Sequence, residues 1–111
     1  MSRPREFEHQ KLPRGVVGVA VAVIADYDRR AAEIKRGALS EGLLLSYSRY
    51  NEIVDDALTC VEESARREML SDIASGRGYD YSKLAPMLNR KSYYLRKKTA
   101  IYKVAIALKL F

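Results

Sequence analysis

This sequence predicts an all-α fold: a small helical domain of four to five helices ending in a helix-turn-helix. Three observations predict it. Apolar residues recur at three-, four- and seven-residue steps through most of the 111-residue chain. Turn-forming residues interrupt that period at Gly37, at Gly76-Arg77-Gly78 and at Asn89. Positive charge is segregated: residues 81–111 carry eight basic residues (Lys83, Arg90, Lys91, Arg96, Lys97, Lys98, Lys103, Lys109) and no acid, although the whole chain sums to only +6. The first eighty residues therefore sum to −2.

Composition bounds the function classes. With 48% apolar and 31% charged residues, the chain has the makeup of a folded domain with a modest core. A single cysteine, Cys60, excludes an internal disulfide, and a single histidine, His9, leaves no metal-ligand cluster. Cys60 stands between Leu58 and Val61 and reads as a small core residue; His9 reads as solvated. The apolar run over residues 15–25 is too short to span a bilayer. Basic residues precede it as in a signal peptide, but Asp26-Tyr27-Asp28-Arg29-Arg30 follows directly, without a cleavage motif. The expectation is a cytoplasmic protein without a membrane partner. No phosphate-cradling loop, dinucleotide fingerprint or nucleophile elbow is present, so no catalytic residue, cofactor or small-molecule substrate is expected. The eight acids of residues 48–80 are assigned to solvated helix faces rather than to a catalytic pair.

Taken in order, residues 1–12 are charged, contain Pro4 and lack a period, and are read as a flexible arm in which Arg3 and Arg5 could touch phosphate. Pro13 suits the first turn of a helix. Val16, Ala20, Val23, Tyr27, Ile34 and Ala38 then give one helical stripe. Val17, Val19, Val21 and Val23 also alternate as in a strand, but the helical period continues past Asp26, so one helix to Gly37 is expected. Residues 38–48, with Leu39, Leu43, Leu44 and Leu45, are read as a connector that packs down, with Ser46 or Ser48 capping the next helix. Tyr50, Ile53, Val54, Ala57, Leu58 and Val61 form the next stripe, and Ala65, Met69 or Leu70, and Ile73 the one after. The pattern leaves open whether residues 49–75 are one helix or two broken near 61–64. Residues 13–75 together form the expected core, and the valine-rich first helix makes them a candidate for homodimer formation.

Residues 81–109 carry the helix-turn-helix expectation. Asp80 or Ser82 caps a short helix over residues 83–88 with Leu84, Ala85 and Leu88 inward. Pro86 must fall in its first turn, since a deeper proline costs about 3 kcal/mol. Asn89 is placed in a left-handed turn. A helix from Arg90 or Lys91 to about Lys109 follows, with Tyr93, Ala100 or Ile101, Val104 and Leu108 inward. Its outer N-terminal face presents Arg90, Lys91, Tyr94, Leu95 and Lys98, the positions that read base edges when such a helix enters the major groove of duplex DNA. Ser92, Arg96, Lys97, Lys103 and Lys83 are the candidate phosphate contacts. The competing readings are an adaptor whose basic helix grips an acidic protein, and a homodimer joined through Tyr93, Tyr94 and Tyr102.

Several of these residues follow a known pattern. Ala57-Leu58, Glu62-Glu63, Met69, Ile73, Leu84-Ala85, Arg90-Lys91-Ser92-Tyr93-Tyr94, Arg96-Lys97-Lys98 and Ala105-Ile106-Ala107-Leu108-Lys109-Leu110 stand in the order found in small phage-encoded transcriptional regulators of the RinA/ArpU type. The chain resembles that family, which in turn resembles region 4 of bacterial sigma factors. Leu12-Pro13-Arg14-Gly15-Val16-Val17 is similar to the family's first helix. The resemblance implies an all-α, DNA-binding regulator of phage or mobile-element origin, a recognition helix beginning at residues 90–92, and RNA polymerase as a further partner. Pro86 and the aromatic run Arg77-Gly78-Tyr79-Asp80-Tyr81 depart from the pattern.

Overall fold

A computed structural model describes residues 11–111 and places five α-helices among them, with no strand. They are α1 (Arg14–Ala25), α2 (Tyr27–Arg36), α3 (Glu41–Ala57), α4 (Arg66–Ser75) and α5 (Arg90–Ala107). Single 3-10 turns occupy Leu58–Cys60, Glu63–Ala65 and Tyr79–Tyr81. The all-α expectation holds. The arm expected over residues 1–12 lies, up to residue 10, outside the described residues, and so do Arg3, Arg5 and His9.

α1 is the central element, packed along both α4 and α5, while α3 packs on α2 and α5. The core forms where their apolar stripes meet: Ala20 and Ile24 of α1, Ile53, Val54 and Ala57 of α3, Met69, Leu70 and Ile73 of α4, and Tyr93, Ala100 and Val104 of α5. The stripes read for α3, α4 and α5 are thus largely the faces that are buried, as helical periodicity requires, except that Tyr50 of α3 is 38% exposed. Gly37 and Gly76 close α2 and α4 with φ of 78° and 74°, a left-handed conformation that glycine adopts without a Cβ clash. Among the described residues, no helix is long and apolar enough to cross a membrane.

Three boundaries differ from the sequence expectation. The single helix expected over residues 13–37 is broken at Asp26, between α1 and α2. A buried arginine holds the break. Arg30 is 3% exposed; its Nε donates to Asn51 Oδ1 (2.7 Å) and its Nη2 to the Val23 carbonyl (2.6 Å). Asn51 Nδ2 donates in turn to the Tyr27 carbonyl (3.3 Å), so polar side chains from α2 and α3 reach backbone acceptors on both sides of the break. Asp26 itself is gripped by Arg29 Nε and Nη2, each at 2.7 Å, which holds its carboxyl below the usual range. Periodicity does not register such a break, because Arg30 counts as a polar, outward residue.

The connector expected over residues 38–48 is mostly helix. α3 begins at Glu41, capped by Ser40, whose Oγ accepts from Leu43 N–H (3.3 Å); Ser46 and Ser48 lie inside it. Leu43, Leu44 and Leu45 do not pack down but stand exposed at 47%, 40% and 68%. Residues 49–75 form two helices. α3 ends at Ala57, and extended backbone at Val61 and Glu62 separates it from α4.

Replacing Arg30 by Ala leaves Asn51 Oδ1 and the Val23 carbonyl without their buried donor. The expected loss is about 2–3 kcal/mol of unfolding free energy in urea. Arg36→Ala, which removes an exposed ion pair to Glu33, should cost no more than about 0.5 kcal/mol. Equal effects of the two substitutions would dismiss Arg30 as the brace.

Candidate nucleic-acid interface

α5 presents the basic surface, and the segment before it fixes its position. The short helix expected over residues 83–88 is absent; those residues form consecutive turns. Pro86 gives the physical reason, since it has no N–H and disfavours helical backbone at Ala85. One α-helical i→i−4 bond survives there, from Leu88 N–H to the Leu84 carbonyl (2.9 Å), beside two i→i−3 turn bonds from Ala85 N–H to Ser82 and from Met87 N–H to Leu84. Asn89 is not a left-handed turn residue either. Its backbone is extended and its Oδ1 accepts from Ser92 N–H (2.8 Å), which makes it the N-cap of α5. The helix-turn-helix is therefore reduced to an irregular segment leading into one capped helix.

That irregular segment is organised by Asp72, a carboxylate of α4 with no solvent exposure. Tyr93 Oη of α5 donates to its Oδ2 (2.9 Å), Arg77 Nη1 to its Oδ1 (3.1 Å), and Ser82 Oγ also donates to Oδ2. Ser82 Oγ in turn accepts from Leu84 N–H (3.0 Å). Tyr79 Oη donates to the Ala85 and Leu88 carbonyls at 3.1 and 2.7 Å, giving backbone acceptors of the turns a partner that helix geometry does not supply. Tyr79 N–H donates to Tyr94 Oη (3.1 Å), and the Tyr93 ring meets those of Tyr79 and Tyr94 edge-on at 5.4 and 5.0 Å. A Cβ added at Gly78 would come within 3.2 Å of Tyr94 Oη, so glycine suits this close approach.

The predicted site residues fall into distinct groups on this frame. Lys91, Leu95 and Lys98 succeed one another at four- and three-residue steps and so share one side of α5, with Tyr94 at its border. Lys91 and Lys98 are exposed, Leu95 is half-buried, and Tyr94 is 41% exposed while its hydroxyl is held by Tyr79. Arg90 is exposed but paired with Asp80 Oδ1 (2.5 Å) and stacked over the Tyr79 ring at 4.9 Å.

Arg96 and Lys97, assigned to phosphate from the sequence, have internal partners. Arg96 donates to both Glu62 oxygens (3.3 and 3.0 Å), tying α5 to the bend before α4 and holding the Glu62 carboxyl below its usual range. Lys97 Nζ donates to the Arg77 carbonyl (2.8 Å) and lies over the Tyr93 and Tyr94 rings. Ser92 gives its N–H to the Asn89 cap. Lys103 lines a separate depression with Arg49 and Asp56, and Lys83 is exposed within the turns. Asp72 went unnoticed in the sequence, where Ser82 reads only as a helix cap and Arg77 and Tyr79 only as part of an aromatic run. The dense aromatic run 77–81 was the available signal, since tyrosine hydroxyls in a loop often satisfy backbone groups.

The fold and this surface define a small all-helical domain with a capped, cationic terminal helix. No protein-family model, curated protein or solved structure matches the chain.

Replacing Asp72 by Ala removes an acceptor shared by Arg77, Ser82 and Tyr93. The expected destabilisation is about 3 kcal/mol, with Asp72→Asn milder because one oxygen remains. Burial first, and then the bond to Asp72, push the Tyr93 hydroxyl above its ordinary value. A group raised in the folded state contributes stability that is intact below its unfolded pKa of about 10 and lost as pH rises through the folded value. Tyr93→Phe should therefore lower stability at pH 7 yet flatten its decline above pH 10, by up to about 1.4 kcal/mol per pH unit. Urea titrations at pH 7, 10 and 11 check this; an unchanged slope above pH 10 would show that Tyr93 does not titrate with unfolding.

Proposed function

We propose that this chain is a non-enzymatic, cytoplasmic DNA-binding regulator that places the N-terminal half of α5 against duplex DNA. The observation that carries this reading is the side of α5 bearing Lys91, Leu95 and Lys98, on a helix whose opposite side is anchored by Tyr93, Ala100 and Val104 in the core. A rigid support keeps a reading face in register with the groove. The basic residues of 81–111 without a single acid add long-range attraction to a polyanion. Lys91, Tyr94, Leu95 and Lys98 are the base-facing set. Arg90 joins them by leaving Asp80, an exposed pair worth no more than about 1 kcal/mol. Lys83 and Lys103 flank this set as phosphate contacts, while Arg96 and Lys97 brace the helix. The resemblance to phage regulators of the RinA/ArpU type supports a phage or mobile-element origin and makes RNA polymerase a second candidate partner.

The acidic-partner reading is favoured by a different observation: Arg90, Arg96 and Lys97 already have internal partners, which leaves less charge for phosphates than the sequence suggests. For self-association another surface is the better candidate than Tyr93 and Tyr102, which are buried, although Tyr94 is 41% exposed. Tyr93 has no exposure, whereas Leu43, Leu44 and Leu45 at the start of α3 are all exposed, so a homodimer would join through α3.

Duplex binding measured from 50 to 200 mM salt separates these readings. Each phosphate contact contributes about 0.9 to the log–log slope, so Lys83→Ala/Lys103→Ala should flatten it by about 1.8. Lys91→Ala/Lys98→Ala should weaken duplex binding and relax its sequence preference. Affinity that is absent at low salt, or unchanged by Lys91→Ala/Lys98→Ala, would favour the acidic-protein partner. In light scattering, Leu44→Lys/Leu45→Lys should abolish dimers while preserving helical content; a dimer that survives the pair places its interface elsewhere.

A further inference from the structure

Among the described residues, no large apolar side chain is more exposed than Tyr81, at 83%. Its root is nevertheless fixed. Tyr81 N–H donates to the Gly78 carbonyl and Ser82 N–H to the Tyr79 carbonyl, both at 3.1 Å, and the buried Ser82 side chain is bound to Asp72. The Tyr81 ring thus stands in water on a backbone that the Asp72 cluster holds still. It forms one side of a cleft of about 440 Å³, which Tyr94 of α5, Tyr79, Arg77, Gly76 and Gly78 also line. The two glycines add no side chain to it, which leaves room for a flat ring beside the tyrosines. Asp80 faces the cleft as well, but Arg90 binds its carboxylate and offsets its repulsion of an anion. Exposed Lys83 follows Tyr81 by two residues, and exposed Lys91 precedes Tyr94 by three.

We propose that this cleft receives an unpaired nucleobase, which stacks on the Tyr81 ring. Every base offers a π-face, so an aromatic ring held out in water binds one whatever its identity. Charge favours a base over an apolar side chain of a protein. A base arrives with a phosphate on either side, and residues 81–111 carry cations without an acid. Position favours it too, because Tyr94 belongs both to the cleft and to the base-facing set of α5. Drawing a base out of an intact duplex is costly, whereas a bulged base is already unpaired. The cleft therefore gives the protein a preference for DNA with a local defect over a fully paired duplex. This inference rests on the DNA-binding reading of α5 and adds to it the kind of DNA site that is taken.

Two duplexes of one sequence, one intact and one with a single bulged thymine, test this by fluorescence anisotropy at fixed salt. The full-length protein should bind the bulged duplex about tenfold more tightly, the effect of one base–aromatic stack. Tyr81→Ala should erase that gain and leave the affinity for the intact duplex unchanged. Tyr81→Phe, which keeps the ring, should preserve the gain. Circular dichroism should stay native in both variants, since the Tyr81 side chain stands in solvent. Equal affinities for the two duplexes overturn the proposal, and so does a preference for the bulge that survives Tyr81→Ala. A gain lost equally in Tyr81→Phe overturns stacking, because only the hydroxyl is then required. Tyr81-dependent binding of a proline-rich peptide in place of the bulge also overturns it and assigns the cleft to a protein ligand. These outcomes leave the reading of α5 standing, which Lys91→Ala/Lys98→Ala judges on the intact duplex. Binding of neither duplex at low salt sinks that reading and the inference with it.

Discussion

A buried carboxylate holds together the part of this fold that lacks regular structure. Between α4 and α5 the chain runs from Gly76 to Asn89 with only a single 3-10 turn. Such a segment has few repeating backbone bonds to fix its path. Asp72 substitutes for them by accepting from Arg77, Ser82 and Tyr93, which lie at the beginning, middle and far side of the segment. Its position on α4, the preceding helix, makes it a fixed point against which the loop is threaded. Tyr79 completes the arrangement from within, since its hydroxyl reaches two carbonyls beside the start of α5. A charge out of water is tolerated only when it is paired and hydrogen-bonded, and the donors gathered here meet that condition. The orientation of α5, and with it the candidate interface, follows from this cluster as much as from the apolar core.

Charge in the sequence and charge on the surface are different quantities in this protein. The terminal stretch has a full complement of basic residues, yet acids from the preceding block reach into it: Asp80 to Arg90 and Glu62 to Arg96. Lys97 is directed inward by a backbone carbonyl and two aromatic faces. These contacts brace α5 along its N-terminal half and divide its cations by side. The division is physical: the side toward Tyr79 and Glu62 supports the helix, and the side with Lys91 and Lys98 faces outward.

Much of the architecture was legible because its signal is local and periodic. The α4 stripe of Ala65, Met69, Leu70 and Ile73, the inward set of α5, and the glycine stops at 37 and 76 each depend on a few neighbouring residues. What was not legible depends on partners distant in sequence. The break at Asp26 requires Arg30 to meet Asn51, twenty-one positions away. The start of α3 was hidden because its leucines look like core residues but are exposed, so hydrophobicity pointed to a packed connector instead of a capped helix. In the candidate site, the shared side of Lys91, Leu95 and Lys98 could be read from spacing alone. The internal roles of Arg96 and Lys97 could not, because Glu62 and the Arg77 carbonyl come from elsewhere in the chain.

Pro86 shows how one residue redirects a motif. With it, residues 83–88 cannot form a regular supporting helix, and the carbonyls left without helical donors need other partners. Tyr79 supplies one, and Asn89 acts as the N-cap of α5. A two-helix motif fixes its reading helix by helix-on-helix packing. Here the same task falls to a hydrogen-bonded turn segment braced on α4, so the angle of α5 depends on polar geometry. Polar geometry is more exacting than apolar packing, because a misplaced donor leaves a buried group unpaired. The aromatic run at 77–81 is the structural counterpart of Pro86: the Tyr79 hydroxyl supplies the carbonyls of the turns with a partner that helical N–H groups would otherwise have been.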